Sequence, residues 1–509
     1  MLELNKQEAC VGEQSIIAFS QAYCEGDIIV PDTKPDIAKI LQVSANVVIQ
    51  NKHCAYDRVS VDGKCDISIL YISEHNTVCS INNVQSFSHV IDAKGVLENM
   101  DAEVEADLQN IDYFVTNSRK LNVKMLIAID VNATNCINRD LCVGVFGDNN
   151  VQTLRKNIMP FNRAYKGTQQ FTIKECLELP AGKPDIDTIL KSEMRLNTDE
   201  VKVLNDRIVV DGNAFLSVIY LDSNDHTRIH YVEYEIPFSE ILDTIGAKEG
   251  YITNVRMKCE QLYTEPACDS DGDNRRINLE AVASACIKIY CESELEIIED
   301  AYSTDCIVTT ECKNDLIDKL VTCNKTQVTL KDTIDLPKDI CQVFRICAKP
   351  NIADTIIEGN KVCVGGIMEV DVLYMADDGE SPINCYTHKH KFTQYIECEG
   401  INEKMLCDVF VTVDSVSYNI AGPAQLEFRI IATIDTKIIS KHNINYISDI
   451  TVEEQSVSNT NNCFIKIYFV GKDDTLWEIA KKYRTTADKI IVDNNLSGEI
   501  TPGMKLIIA

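Results

Sequence analysis

One unit is written three times along this chain of 509 residues. A copy length of roughly 150 residues suits tandem domains with their own cores and is too long for a solenoid repeat. The run Pro31-Asp-Thr-Lys-Pro-Asp-Ile-Ala-Lys-Ile-Leu41 returns as Pro180-Ala-Gly-Lys-Pro-Asp-Ile-Asp-Thr-Ile-Leu190. A strand-like segment follows each, Arg58 to Tyr71 and Arg207 to Tyr220, and both contain Val-Asp-Gly. The third copy is more worn: Leu336-Pro337 leads to Lys361-Val-Cys-Val-Gly-Gly and on to Tyr374. A later landmark recurs as Phe87 to Ile91, Phe238 to Leu242 and Phe392 to Ile396. Each copy then closes on an alternating strand, Leu121 to Val131, Ile277 to Tyr290 and Gln425 to Ile434.

Apolar and polar residues alternate through each copy, the period of a half-buried strand, so each unit reads as a mostly antiparallel β domain. The expected divisions are 1–142, 143–300 and 301–450. The polar stretch Thr451 to Asn462 then reads as a linker, and 463–509 as a separate small module. The fold class is mainly β: three tandem antiparallel domains followed by a βααβ unit. The Pro-Asp segments read as a turn feeding a short helix, with Pro35 and Pro184 fixing φ and Ile37, Ile40 and Leu41 facing inward at helical spacing.

In the last module, Ile465, Ile467 and Phe469 alternate as the buried face of a strand. Asp474 sits at a helix N-cap position, and Leu476, Ile479, Ala480 and Tyr483 follow at helical spacing. Thr486 caps a second helix with Ile490 and Ile491, and Pro502-Gly503 turns into a last strand, Lys505 to Ile508. These residues resemble a LysM module, the small carbohydrate-binding βααβ unit. Asp473 stands where that family usually has glycine, which adds a Cβ and a negative charge to the sugar-receiving loop. The resemblance implies a groove with Asp474, Thr475 and Leu476 on one side and Asn495, Ser497, Ile500 and Pro502 on the other. Its expected ligand is N-acetylglucosamine-containing glycan or a protein partner. Trp477, the only tryptophan, is expected to pack in the core of the module.

The triplicated unit, with its Pro-Asp-x-Lys-Pro-Asp and Val-Asp-Gly runs, resembles the SPOCS domain of spore-envelope proteins in endospore-forming bacteria. Three such domains and a C-terminal LysM are similar to the SipL group of spore-coat morphogenetic proteins. That resemblance implies a non-enzymatic scaffold in the mother-cell cytoplasm, at the forespore surface and in the spore coat. Its implied partner is a coat-basement morphogenetic ATPase of the SpoIVA kind. The other expectation is a protein that binds cortex or wall peptidoglycan through its LysM.

Composition narrows the partners. The chain has a formal charge of −29. Residues 463–509 hold seven Lys/Arg against six Asp/Glu, so the module is +1 and the remainder −30. Such a body repels nucleic acid and anionic lipid, so no nucleic-acid partner is expected. Met1 to Glu8 has neither a basic nor an apolar region, so no secretory leader is expected, and no eighteen-residue apolar run occurs, so no transmembrane segment is expected. Twenty-two cysteines without a Cys-x-x-Cys pair read mostly as reduced, small hydrophobes in a reducing compartment.

Two further patterns carry chemistry-bearing residues. Asp269-Ser-Asp-Gly-Asp273 with Glu280 has calcium-loop spacing, but Asn274 replaces the required glycine and strands flank it, so it reads as a hairpin turn. Cys385-x-x-His388-x-His390 with Cys398 offers four zinc-type ligands. Neither other copy has a counterpart, so it reads as a surface strand with unrelated cysteines, and no metal or cofactor is expected. Hydrolase, metalloprotease, phosphate-loop and dinucleotide motifs are absent, so no catalytic residue is expected.

Overall fold

The structure, a computed structural model, describes residues 3–147, 150–226, 228–376, 384–453 and 466–508. The first unit is β1 (Glu3–Ile29), β2 (Ile37–Ala55), β3 (Arg58–Ser73), β4 (Val78–Asp92), β5 (Asp101–Asn117) and β6 (Lys120–Phe146). These form two antiparallel three-stranded sheets, β1-β6-β5 and β2-β3-β4, whose inner faces share one core around Val59, Ile67, Tyr71, Leu121, Met125 and Ile127. The second unit runs β7 (Val151–Ile158), β8 (Phe161–Glu178), β9 (Ile186–Leu204), β10 (Arg207–Asp222), β11 (Ile229–Asp243), β12 (Ile252–Ala267), β13 (Arg276–Glu292) and β14 (Leu295–Ser303). The third runs β15 (Ile307–Asp335), β16 (Ile340–Glu358), β17 (Lys361–Ala376), β18 (Asn384–Glu397), β19 (Leu406–Gly422) and β20 (Gln425–Glu453). Both repeat the two-sheet plan of the first. The mainly β, three-domain architecture expected from the alternation is therefore the one found.

The recurring motifs are the joints of this plan. The Tyr71 hydroxyl, buried in the core, donates to the Pro35 carbonyl at 2.9 Å, and Tyr220 does the same to Pro184 at 3.1 Å. Asp36 and Asp185 hold guanidinium groups of Arg119 and Arg275, which lie just before β6 and at the entry to β13. Each clamp thus ties the two sheets of its unit together. The glycine of Val-Asp-Gly lies under an aromatic ring: a Cβ at Gly63 would meet Phe87 at 2.6 Å, and one at Gly212 would meet Asn197 O at 2.2 Å and Phe238 at 2.7 Å. Gly366 under Phe392 is the third instance.

The short helix expected after Pro35 and Pro184 is not there. Ile37 and Ile186 begin strands, their amides bonded to the Ser118 and Asn274 carbonyls at 2.8 and 2.9 Å. Bulges between Ile37 and Lys39 and between Ile40 and Gln42 shift the side-chain parity of β2. A bulged strand therefore imitates helical spacing over this stretch.

The three units form one body. In each, a long ribbon extends beyond the two-sheet core: β1 with β6, β15 with β20, and β8 with β13 continuing as β7 with β14. Pro160, without an N–H for the ladder, falls at the break between β7 and β8. The ribbon ends meet in a shared cluster of Val11, Leu141, Ile158, Ile297, Ile317, Ile444 and Tyr446. A second shared cluster brings Leu70, Leu190, Ile219, Phe344 and Leu373 together from all three units. Burying each such side chain contributes roughly 2 kcal/mol. The divisions expected at 142, 300 and 450 fall inside β6, β14 and β20; the pairings carry these sets to Phe146, Ser303 and Glu453. The expected linker begins inside β20, where Thr451–Glu453 pair with Ile307–Thr309, and its residues from 454 lie outside the described ones.

Candidate functional site

The terminal module is β21 (Lys466–Phe469), α1 (Leu476–Tyr483), α2 (Ala487–Asp493) and β22 (Lys505–Ile508), with β21 and β22 antiparallel. Its core is Val470, Ile479, Ala480, Ile490, Leu506 and Ile508. The parity of the first strand is the reverse of that expected. Tyr468 and Val470 face the core, while Ile467 and Phe469 are 63% and 60% exposed, beside Ile507 on the same outer face. Both parities of this short strand are apolar, so alternation alone does not fix the face. Ile465 lies outside the described residues.

Local hydrogen bonds set the rim of the groove. The N-cap of α1 is Thr475, not Asp474: its hydroxyl accepts from the Glu478 amide at 3.2 Å, and Glu478 returns a bond from the Thr475 amide. This is a capping box. Asp474 instead turns back, accepting from the Tyr468 hydroxyl at 2.6 Å and the Gly471 amide at 2.7 Å. The Tyr468 hydroxyl and then the Gly471 amide hold this carboxyl below its ordinary range. Leu476 is half-buried and stands outside the core of the module.

Across from these, Asn495 and Ser497 are exposed, with Asn495 in the left-handed region at φ 48°. Ile500 is half-buried against the core, and Pro502 is exposed at the turn. Val470 N to Met504 O (2.9 Å) and Gly503 N to Val470 O (2.8 Å) bring the two loops together. Asn494, which sequence reasoning missed, ties α2 to β22 by accepting from Ile507 N at 2.6 Å and donating to Ile507 O at 2.7 Å. Asp473 is exposed and has no positive φ, so the loop does not require glycine there.

The module is docked on the body. Trp477 Nε1 donates to Asp300 Oδ2 at 2.9 Å, and Lys481 Nζ donates to the same carboxylate at 2.7 Å. The Tyr302 hydroxyl donates to the Thr485 carbonyl at 2.7 Å, and its ring meets that of Trp477 edge-on at 4.8 Å between centroids. Trp477 therefore does more than the core packing expected of it: it is the contact between α1 and β14. Asp300 and Tyr302 had no local sequence signal, since they lie far from the module in the chain.

The other candidates resolve differently. Residues 267–276 are a hairpin turn between β12 and β13, as expected. Asp269 Oδ1 accepts from the Asp271 and Asp273 amides at 2.9 and 3.1 Å, while Glu280 pairs with Lys174 at 2.8 Å. Cys398 accepts from Asn324, and Cys385 lies toward Lys191 and Arg345, so the four-ligand zinc set does not assemble. His388 and His390 do come together, but with Asp332 of β15. A cleft between the units gathers Lys191, Arg195, Lys258 and Lys349, but these cations bond Ser44, Val413 O, Val47 O and Asp107 in neighbouring units. They stitch the body together. Burial pushes the Cys65 thiol up to about 12, in keeping with an inert thiol. Cys136 differs: the Cys10 thiol bonded to it, aided by Arg163, holds it below the ordinary thiol range.

Comparison with known families gives two matches. Residues 36–116, 185–266 and 339–421 each match the "SipL, SPOCS domain" family, and residues 468–509 match the LysM domain. The three SPOCS segments begin at Asp36, Asp185 and Asp339 and end on β5, β12 and β19, so they cover equivalent parts of the three units. Both are non-catalytic families, the first tied to sporulation and the second to peptidoglycan binding. No curated protein and no solved structure matches the chain. Among the described residues no helix is long and apolar enough to cross a membrane.

Proposed function

The chain belongs to the SipL family of SPOCS-domain proteins with a C-terminal LysM domain, and from that premise we propose that it is a non-enzymatic scaffold of the spore envelope. In this reading it works in the mother-cell cytoplasm at the forespore surface. Its LysM captures a coat-basement ATPase of the SpoIVA kind, and its three-unit body holds that contact in the forming coat. The observation that carries the reading is the state of the groove. Asp474 and Thr475, the polar side chains on one rim, are already engaged by Tyr468, Gly471 and Glu478. Asp473 adds an exposed charge beside them. What remains open joins the exposed Asn495 and Ser497 on the far rim to apolar surface: Leu476 at the near rim, and the outer face of Ile467, Phe469 and Ile507. Exposed apolar surface ringed by polar residues favours a protein partner.

The LysM match keeps peptidoglycan as the second reading, since groove backbone can still read an acetamido group. Imaging in sporulating cells tests whether the module is the tether. A fluorescent fusion of the wild-type chain should ring the forespore, and Leu476→Asp should leave it diffuse at equal abundance. A ring that persists in Leu476→Asp would exclude the module as the tether.

A further inference from the structure

We propose that Asp332, His388 and His390 form a zinc site that clips together the two sheets of the third unit. His388 and His390 are two apart on β18, so both side chains leave the same face of the strand. Asp332 reaches them from β15, in the opposing sheet. Its Oδ2 lies 2.7 Å from His390 Nδ1 and 3.4 Å from His388 Nε2, and the three ligand atoms all fall within 4.8 Å of one another. Donors bound to one zinc at about 2.0–2.2 Å stand roughly 3.3 Å apart in a tetrahedron. The ion would therefore replace the His390–Asp332 hydrogen bond by opening it less than about 1 Å. Two imidazoles and one carboxylate are a zinc donor set, with the fourth position left to water.

The surroundings suit a built site. Thr333 N donates to Asp332 Oδ1 at 2.8 Å, which orients the carboxylate and leaves Oδ2 to the histidines. Phe428, 3% exposed and directly across the ladder from Asp332, gives an apolar floor with its ring 6.1 and 5.8 Å from those of the histidines. The position also answers a loss. In the first two units an Asp–Arg clamp joins the sheets, but Ala424 stands where the third would need the arginine, its carbonyl taking the Leu336 amide as Arg119 and Arg275 take those of Val30 and Leu179. In strands aligned on Phe87, Phe238 and Phe392, the places of His388 and His390 are taken by Asn83 and Gln85 in the first unit, and by Tyr234 and Ile236 in the second. The trio belongs to the third unit alone.

The test uses the full chain, purified with its thiols reduced, and offers zinc or cobalt(II) alone. One ion per chain should remain after desalting. The cobalt form should show visible d–d bands without a sulfur-to-metal charge-transfer band. His390→Gln and Asp332→Asn should each weaken affinity at least ~10-fold, whereas Cys385→Ser and Cys398→Ser should not change it. Circular dichroism checks that each variant is folded, and the two ligand variants serve as independent tests. No stoichiometric metal, metal retained by both ligand variants, or a thiolate charge-transfer band would each overturn the assignment.

Discussion

Gly212 shows how much one residue of the repeat carries. A methyl there would sit 2.2 Å from the Asn197 carbonyl oxygen and under the Phe238 ring, so neither backbone nor ring can yield freely. Gly212→Ala is expected to cost about 1–3 kcal/mol, the range for overpacking, read by denaturant unfolding of the full chain. Gly182→Ala probes a different effect, a strained positive φ with nothing within 4 Å. The motif residues were legible as a repeat because each is a joint: Tyr71 and Tyr220 on proline carbonyls, Asp36 and Asp185 on arginines. What the joints join was not legible. Asp332 is more than fifty positions from the histidines it meets, and Asp300 meets Trp477 at a sequence separation of 177. Neither pairing leaves a spacing that a sequence can display.

At the scale of elements, the two helices and two strands of the module were readable from caps and periodicity, and Thr486 caps α2 as expected. The facing of β21 was not readable, because four residues with apolar side chains on both parities satisfy either register. The bulged start of β2 misled for a related reason: an inserted residue resets the parity that identifies a strand. Docking of α1 on β14 has a direct optical readout, since Trp477 is the only tryptophan in the chain. Asp300→Ala removes the acceptor shared by the indole N–H and the Lys481 ammonium. Losing a partly buried, charge-assisted pair of this kind costs about 1–3 kcal/mol. The fluorescence should shift to the red and become more accessible to a neutral quencher, with far-UV dichroism unchanged. An unchanged emission spectrum would mean that the indole is held by the module alone.

The whole molecule behaves as one body because its units share cores and buried charge. Glu103 of the first unit meets Lys166 at 3.2 Å and Lys288 at 2.6 Å, both from the second. Burial pushes its carboxyl up, but the Lys288 and Lys166 ammonium groups outweigh that and hold it below the ordinary 4.5. A depressed folded-state value means that the contribution is complete above about 4.5 and is lost as the pH falls through the lower, folded-state value. Glu103→Gln takes the carboxylate from Lys288 and leaves Lys166 with Asp101 alone (2.7 Å), and should cost about 3 kcal/mol at neutral pH. Because the ionic contribution fades in acid, the gap between variant and wild type should narrow as the pH drops below that window, in melts taken across the range. A gap independent of pH would assign the loss to packing. The body outside the near-neutral module carries −30, so salt should slow encounter with a basic partner through the body more than contact at the apolar groove.

The proposed scaffold reads a protein through its LysM. Calorimetric titration of the full chain tests it directly, with a purified SpoIVA-like ATPase in one series and peptidoglycan-derived N-acetylglucosamine oligomers in the other. Saturable binding of the ATPase is expected, abolished by Leu476→Asp in a chain whose dichroism is unchanged, with far weaker heat from the oligomers. Tight oligomer binding, with no response to the ATPase, would contradict it and make the molecule a glycan reader.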